Sequence, residues 1–344
     1  MKNSIFIIST LAAALSTSVV AEPSFQPYYS VIVDSSYFGS NDLSDRSVTR
    51  GLLDVGVEGS FGNVEFFVNG LLQRGDNGSD VLGDFQAFSN IDEDDFDKVY
   101  EAWLSTSVFT EKFKVKLGQV DINSEFAYAD NAGEFINSSM GFSPTIFVLP
   151  TYPDPAYSLT ATTEVSKSFS IAAAVSAGAD SHDFADRFFL SEARFNAGDH
   201  MLKLGIWHHD GVFESLDATK QKDGVTGYWF IAEGPLSVAP DLSYYLQYGL
   251  SPETYSEVDT HLGIGIMKEN FWGSENLSAG LGVTTVSFSG LFGTVKSNET
   301  AIEAFFRYQI NEQIAIKPDV QFIQAPSGED RNEIVMTLRI EVGV

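Results

Sequence analysis

Along nearly the whole chain, apolar and polar residues alternate with a period of two, in segments of about ten residues separated by turn-forming residues. In residues 299–310, Ile302, Ala304, Phe306, Tyr308 and Ile310 fall on one face of an extended strand, with Glu303, Arg307 and Gln309 on the other. Residues 314–324 repeat this, setting Ile314, Ile316, Pro318, Val320 and Phe322 against Lys317, Asp319 and Gln321. Near the end, Ile334, Met336, Leu338, Ile340 and Val342 oppose Thr337, Arg339 and Glu341. Earlier, Leu53, Val55, Val57 and Phe61 oppose Asp54, Glu58 and Ser60. Such segments begin near residues 26, 50, 63, 98, 112, 156, 168, 188, 200, 225, 241, 257, 277, 299, 313 and 333. Connectors such as Gly62-Asn63 and residues 180–183 carry the Gly, Asn, Asp and Ser expected of turns. A helical stretch is expected only over residues 123–138.

A soluble β-sandwich shows the same alternation, but its outer face is densely charged. Here the polar face is small or mixed, the other is rich in Phe, Tyr, Leu and Val, and charge concentrates in connectors. Residues 1–21 read as a secretory signal, with Lys2, an apolar core and Val19-Val20-Ala21 before Glu22. Beyond it the longest apolar runs, residues 171–175 and 228–232, fall far short of the roughly 20 residues of a membrane helix. The expectation is an all-β transmembrane antiparallel barrel of about sixteen strands over residues 22–344, with no second domain.

In such a barrel the apolar face meets lipid and the opposite face lines the lumen. Lys114, Lys116, Glu192, Arg194, Lys203, Glu303, Arg307, Lys317, Asp319, Arg339 and Glu341 then all point inward. Most of these are cationic, in a chain with 47 acidic against 20 basic residues. The acidic surplus therefore belongs to connectors such as Asp92-Glu93-Asp94-Asp95 with Asp97, read as a solvated or lipopolysaccharide-facing loop in preference to a divalent-cation site. A lumen of mixed sign fits neutral polar solutes better than a strongly ion-selective pore.

Other classes fit less well. Nucleic-acid binding needs clustered Lys and Arg, against a net charge of -27. The absence of cysteine removes disulfide frameworks and thiolate metal sites. No Gly-x-Ser-x-Gly elbow, P-loop or His-Glu-x-x-His pair supports an outer-membrane hydrolase. His208-His209-Asp210 reads as a strand-end turn into Gly211, because adjacent strand residues point to opposite faces and do not share a metal. No cofactor or metal is expected. A periplasmic binding protein would alternate helices and strands.

Three stretches carry a family resemblance. The first is Gly83-Asp84-Phe85-Gln86-Ala87-Phe88-Ser89-Asn90-Ile91 with Tyr100-Glu101-Ala102-Trp103-Leu104. The second runs from Lys116-Leu117-Gly118-Gln119-Val120-Asp121 through Glu134-Phe135-Ile136-Asn137-Ser138 to Pro144 and Tyr152-Pro153. The third joins Glu299-Thr300-Ala301-Ile302-Glu303, Phe306-Arg307-Tyr308-Gln309 and Lys317-Pro318-Asp319-Val320-Gln321-Phe322. Together they resemble the OprB-type carbohydrate-selective porins of Gram-negative outer membranes. The resemblance implies passive diffusion of glucose-like sugars, with the connection after Asp121 folding inward to narrow the barrel. A general diffusion porin is the alternative. The partners implied are small sugars, outer-membrane lipid and lipopolysaccharide, and the barrel assembly machinery. A homotrimer is common for pores of this size, although no stretch identifies an interface. Val344 departs from the terminal Phe usual in such barrels.

A sugar pore needs groups that replace the hydrogen bonds lost with water yet release the solute. Gln86, Asn90, Glu101, Asn123, Glu125, Asn137, Arg307, Asp319 and Gln321 are the candidates, all able to bond hydroxyls. Trp103, on the face of Glu101, offers an apolar surface to a sugar ring or serves as an interfacial girdle residue. Within residues 123–138, Phe126, Phe135 and Ile136 are expected on the wall, with Glu125, Asp130 and Glu134 in solvent. Pro318, on the lipid side in mid-strand, removes a ladder hydrogen bond and is expected to leave a bulge or open edge.

Overall fold

A computed structural model describes residues 23–39, 47–148, 155–178 and 184–343. The signal segment 1–21, the turn at 180–183, Tyr152-Pro153 and Val344 lie outside the described residues. Sixteen strands form one closed antiparallel barrel: β1 (Ser24–Phe38), β2 (Ser47–Phe61), β3 (Val64–Gly75), β4 (Phe96–Ser107), β5 (Phe113–Val120), β6 (Ala156–Ser166), β7 (Phe169–Ala177), β8 (Arg187–Ala197), β9 (His200–Glu214), β10 (Gln221–Pro235), β11 (Leu242–Leu250), β12 (Val258–Lys268), β13 (Leu277–Phe288), β14 (Asn298–Asn311), β15 (Ile314–Gln324) and β16 (Asn332–Gly343). Each strand pairs with its sequence neighbours, and β1 closes the barrel against β16. No sheet edge is left open to template pairing with other chains.

The alternation sets the register. Ile302, Phe322 and Ile334 stand in one row on the outer face, each about two-fifths to one-half exposed, and one residue away Glu303, Gln321 and Val335 are fully buried inside. A one-residue slip would turn Glu303 to lipid and Ile302 to the lumen, so the burial of the two faces fixes the pairing. Short connections at residues 62–63, 167–168, 198–199 and 312–313 gather at one end, and the long ones at residues 76–95 and 121–155 at the other. In barrels of this kind the short-turn end is periplasmic.

Two details differ from the sequence reading. Residues 208–210 are not a turn; they run through the interior of β9, with His208 Nδ1 2.8 Å from Thr226 Oγ1 and His209 Nδ1 accepting the Gly211 N–H at 3.0 Å. Residues 123–138 do not form a helix either. They hold only 3₁₀ turns at Ile122–Ser124 and Asp130–Ala132, because charged wall side chains take the backbone groups that a helix would pair internally. At Pro318 the β14–β15 pairing passes from Phe305 opposite Asp319 to Tyr308 opposite Ile316, leaving Phe306 and Arg307 without partners on that side, as the missing N–H demands.

The apolar core lies inside the barrel. Ile122, Phe126, Ala129 and Phe135 of the β5–β6 connection pack on Trp207, Trp229, Tyr245 and Phe305 of the wall. Glycine makes the seat possible: a Cβ at Gly282 would stand 2.8 Å from both Met140 Sδ and Phe135 Cε1.

Candidate functional site

Two connections fold into the lumen. Residues 76–95 begin with a short helix, α1 (Gly78–Leu82), capped by the Asn77 side chain on the Asp80 N–H at 3.3 Å and ended by Gly83 at φ 73°. Asp92 closes its N-terminus, accepting the Gly78 and Ser79 N–H groups at 2.8 and 2.6 Å, and pairs with Arg50 Nε at 2.8 Å. Both side chains of that pair are fully buried, so this member of the acidic run is turned away from solvent. Burial pushes the Asp92 carboxyl up, opposed by Arg50 and the two N–H groups.

Farther along, Glu299 on β14 accepts the Phe85 and Gln86 N–H groups at 2.8 and 2.9 Å. On β16, Arg339 makes a bidentate pair with Asp34 at 2.8 and 2.8 Å and donates to Asn90 Oδ1 at 2.8 Å. Gln321 holds the Phe88 carbonyl at 2.6 Å.

The second connection, residues 121–148, is secured by the same device. Glu192 accepts the Ala127 N–H at 3.0 Å, Glu233 the Asn131 N–H at 2.8 Å, and Glu303 the N–H groups of Ile136 and Asn137 at 2.8 and 3.0 Å. Cations take its carbonyls: Arg194 donates to Glu125 O at 2.6 Å, Lys203 to Tyr128 O at 2.7 Å and Lys317 to Glu134 O at 2.9 Å. Irregular backbone in a crowded interior needs such partners, since each unmet polar group costs about 1–3 kcal/mol. The acids of this segment, expected in solvent, also reach cations of the wall: Asp130 stays exposed and Glu134 partly so, while Glu125 is half-buried. Glu125 pairs with Lys116, Asp130 with Lys203 at 2.8 Å, and Glu134 with Lys317 at 2.9 Å and Arg307 at 3.4 Å. The two connections also bond each other, through Asn90 N to Ile136 O at 2.6 Å and Ser138 N to Ala87 O at 2.9 Å.

Between them lies a cavity of about 760 Å³ bordered by Asn90, Tyr100, Asn123, Tyr128 and Ser138. Toward the periplasmic end an inward-facing row of aromatics follows. Tyr28 stacks on Phe67 at 5.9 Å between centroids and Phe67 on Trp103 at 5.4 Å, with Lys116 Nζ 3.9 Å from the Trp103 ring. Tyr28 reaches Phe67 across β2 because Gly56 lies between; a Cβ there would meet the Tyr28 ring at 2.7 Å. A bulge, where β3–β4 pairing shifts between Val68–Ala102 and Gly70–Val99, leaves Asn69 Oδ1 to accept the Glu101 N–H at 2.8 Å. Glu101 in turn holds the Asp121 N–H at 3.0 Å, and Asp54 accepts from Tyr28 and Asn69 at 3.2 and 3.0 Å.

The candidates named from the sequence divide by exposure. Asn90 is exposed, and Glu101, Trp103, Asn123, Glu125, Lys116, Arg194 and Arg307 are half-buried. Gln86, Asn137, Asp319, Gln321, Glu303, Lys317 and Arg339 are buried between the wall and the inward connections. Lys114 is exposed near the periplasmic rim, 2.5 Å from Glu65.

The sequence model described as "Carbohydrate-selective porin, OprB family" matches residues 59–186 and 193–343. The chain belongs to this family. The solved structures it resembles include a high-pH structure of Pseudomonas putida OprB, with 14% identity, a TM-score of 0.81 and 94% of each chain covered. Salmonella typhi OmpF, in complex with daunomycin, gives 10% identity and 0.68, over 95% of this porin and 100% of that chain. The outer membrane channel DcaP of Acinetobacter baumannii gives 12% and 0.59, over 95% and 99%. No curated protein matches the chain. The porin is thus a passive, carbohydrate-selective channel of a Gram-negative outer membrane, taking small solutes, and not an enzyme.

Among the interior groups that sequence reasoning missed are the aromatics Tyr28 and Phe67 and the anchors Asp34, Arg50, Glu233 and Glu299. Phe67 shares strand parity with Glu65 and Asn69, and Tyr28 with Gln26, so their place on the polar face was the available signal.

Proposed function

We propose that sugars enter the 760 Å³ cavity, pass a narrowing formed by Asn90, Asn123 and Glu101 with Glu125, Lys116 and Arg307, and leave over Trp103, Phe67 and Tyr28. The observation that carries this reading is the stacked inward aromatic row beside half-buried amides and charges. Aromatic faces take the C–H side of a sugar ring while amides, carboxylates and guanidinium take its hydroxyls, and no one group holds tightly enough to trap it. In this reading Gln86, Asn137, Asp319, Gln321, Glu303, Lys317 and Arg339 set the aperture by holding the inward connections. Arg194 acts in both ways, and Lys114 lies at the exit. Liposome swelling with glucose, a trisaccharide and amino acids tests it. Glucose should outpace both; rates that scale only with solute size would make this a general diffusion pore.

Residues 1–21 act as the export signal of the barrel domain 22–344 in this reading. Lipopolysaccharide, the barrel assembly machinery and a homotrimeric state belong to the same proposal, resting on the family and its porin relatives.

A further inference from the structure

The interruption at Pro318 leaves a mark on the outer wall that sugar passage does not use. In one outward row Lys268, Ala279 and Phe306 face one another across β12–β14; in the next, Ile266, Leu281, Ala304 and Val320 do so across β12–β15. Ala279 and Ala304 are diagonal neighbours, and with Pro318 they form a notch between larger side chains, a cavity of about 360 Å³ lined almost wholly by apolar atoms. Ile266, Leu281, Phe306 and Val320, which rim it, are 39–50% exposed on the face that meets the bilayer.

At the periplasmic end the notch meets a polar group. Lys268 Nζ donates to Pro240 O at 2.5 Å and forms an ion pair with Asp241 at 3.7 Å, too long for a hydrogen bond. An ammonium has three donors, so two N–H remain available. Beside it Trp272 is 84% exposed and stacks with Phe306 at 6.1 Å, while Phe271 packs on both rings at 4.8 and 5.5 Å. An exposed indole four residues along the chain from a lysine at this end of the barrel is the pattern of residues seated at headgroup level.

We propose that this groove binds one glycerophospholipid of the periplasm-facing leaflet, with an acyl chain over Ala279 and Ala304 and the phosphate on Lys268. The occupant follows from position. An apolar notch on the outer face of a membrane barrel is filled by hydrocarbon, and the ammonium at its mouth, paired with Asp241 but with N–H donors left over, favours a chain carrying an anionic phosphate.

Native mass spectrometry of the detergent-extracted porin after lipid washing tests this. The unaltered barrel should retain a phospholipid. Ala304→Phe and Ala279→Leu, which fill the notch at separate points, should each reduce retention on the order of tenfold in barrels that still show heat-modifiable mobility. Lys268→Gln should weaken retention of every phosphate-bearing headgroup. In the unaltered protein, a phospholipid with a photoreactive acyl chain should label residues 277–282 and 302–320 above the opposite wall. No retained phospholipid, retention of lipopolysaccharide in its place, retention by both filled variants equal to that of the unaltered barrel, or uniform labelling around the barrel would overturn the proposal.

Discussion

Glu303 on β14 accepts the backbone N–H of Asn137 at 3.0 Å, a bond that joins positions 166 residues apart and fixes the inward connection across the lumen. The other oxygen of the same carboxylate takes the Ile136 N–H. Glu303→Ala leaves two buried N–H groups unmet, at about 1–3 kcal/mol each. Residues 134–138 should then leave the wall, raising single-channel conductance and admitting a trisaccharide in swelling assays. Glu303→Gln keeps an acceptor and should fall between. Unchanged conductance in Glu303→Ala would remove this anchor from the control of the aperture.

The barrel was legible because its information is local. The strands carry their own two-residue alternation, and most of the turns between them carry their own Gly, Asn or Asp, so strand starts fall within four residues of the sequence expectation. The interior was less legible because parity says only that Glu303 or Gln321 points inward, not whether lumen water or a folded connection lies beyond. That depends on contacts such as Asn137 to Gln321, separated by 184 residues. Glu125, Asp130 and Glu134 show the same limit: Asp130 is as solvated as its sequence neighbours suggest, but the cations that pair with all three sit on β5, β9, β14 and β15, far along the chain.

Trp103→Ala shortens the aromatic row while leaving the charged groups around it. An aromatic contact of this kind is worth about 0.5–1.5 kcal/mol. Glucose flux should fall about two- to tenfold relative to a similarly sized amino acid. Ion conductance should stay level or rise, since a bulky side chain has been removed from the lumen. Equal losses for glucose and the amino acid would assign Trp103 to barrel packing alone.

The charge pairs on the wall bear on ion selectivity. Lys116, Lys203 and Lys317 each face an acid of the inward connection, so neither sign dominates the narrowing. Reversal potentials across a salt gradient should lie near zero for the unaltered porin. Glu134→Gln leaves Arg307 and Lys317 facing Glu341 alone and should shift the potential toward anions. A strong initial preference for one ion would contradict this arrangement.

Asp84 gives the connection 76–95 a pH dependence. Its carboxyl is pushed well above the usual carboxylate range, first by burial and then by Glu299 beside it. A raised carboxylate pKa contributes stability that is fully present below the unfolded value of about 3.9 and is lost as pH rises through the folded value. Hydrogen exchange at the Gln86 amide, held by Glu299, and at the Ser138 amide, held by Ala87 O, should therefore quicken as pH climbs past the usual carboxylate range, after correction for the intrinsic rate. Asp84→Asn carries no titrating proton, so protection in that variant should stay constant over the same span. If the two proteins lose protection in parallel, the charge on Asp84 is not what loosens the connection, and the anchors on Glu299 and Arg339 alone must account for its hold.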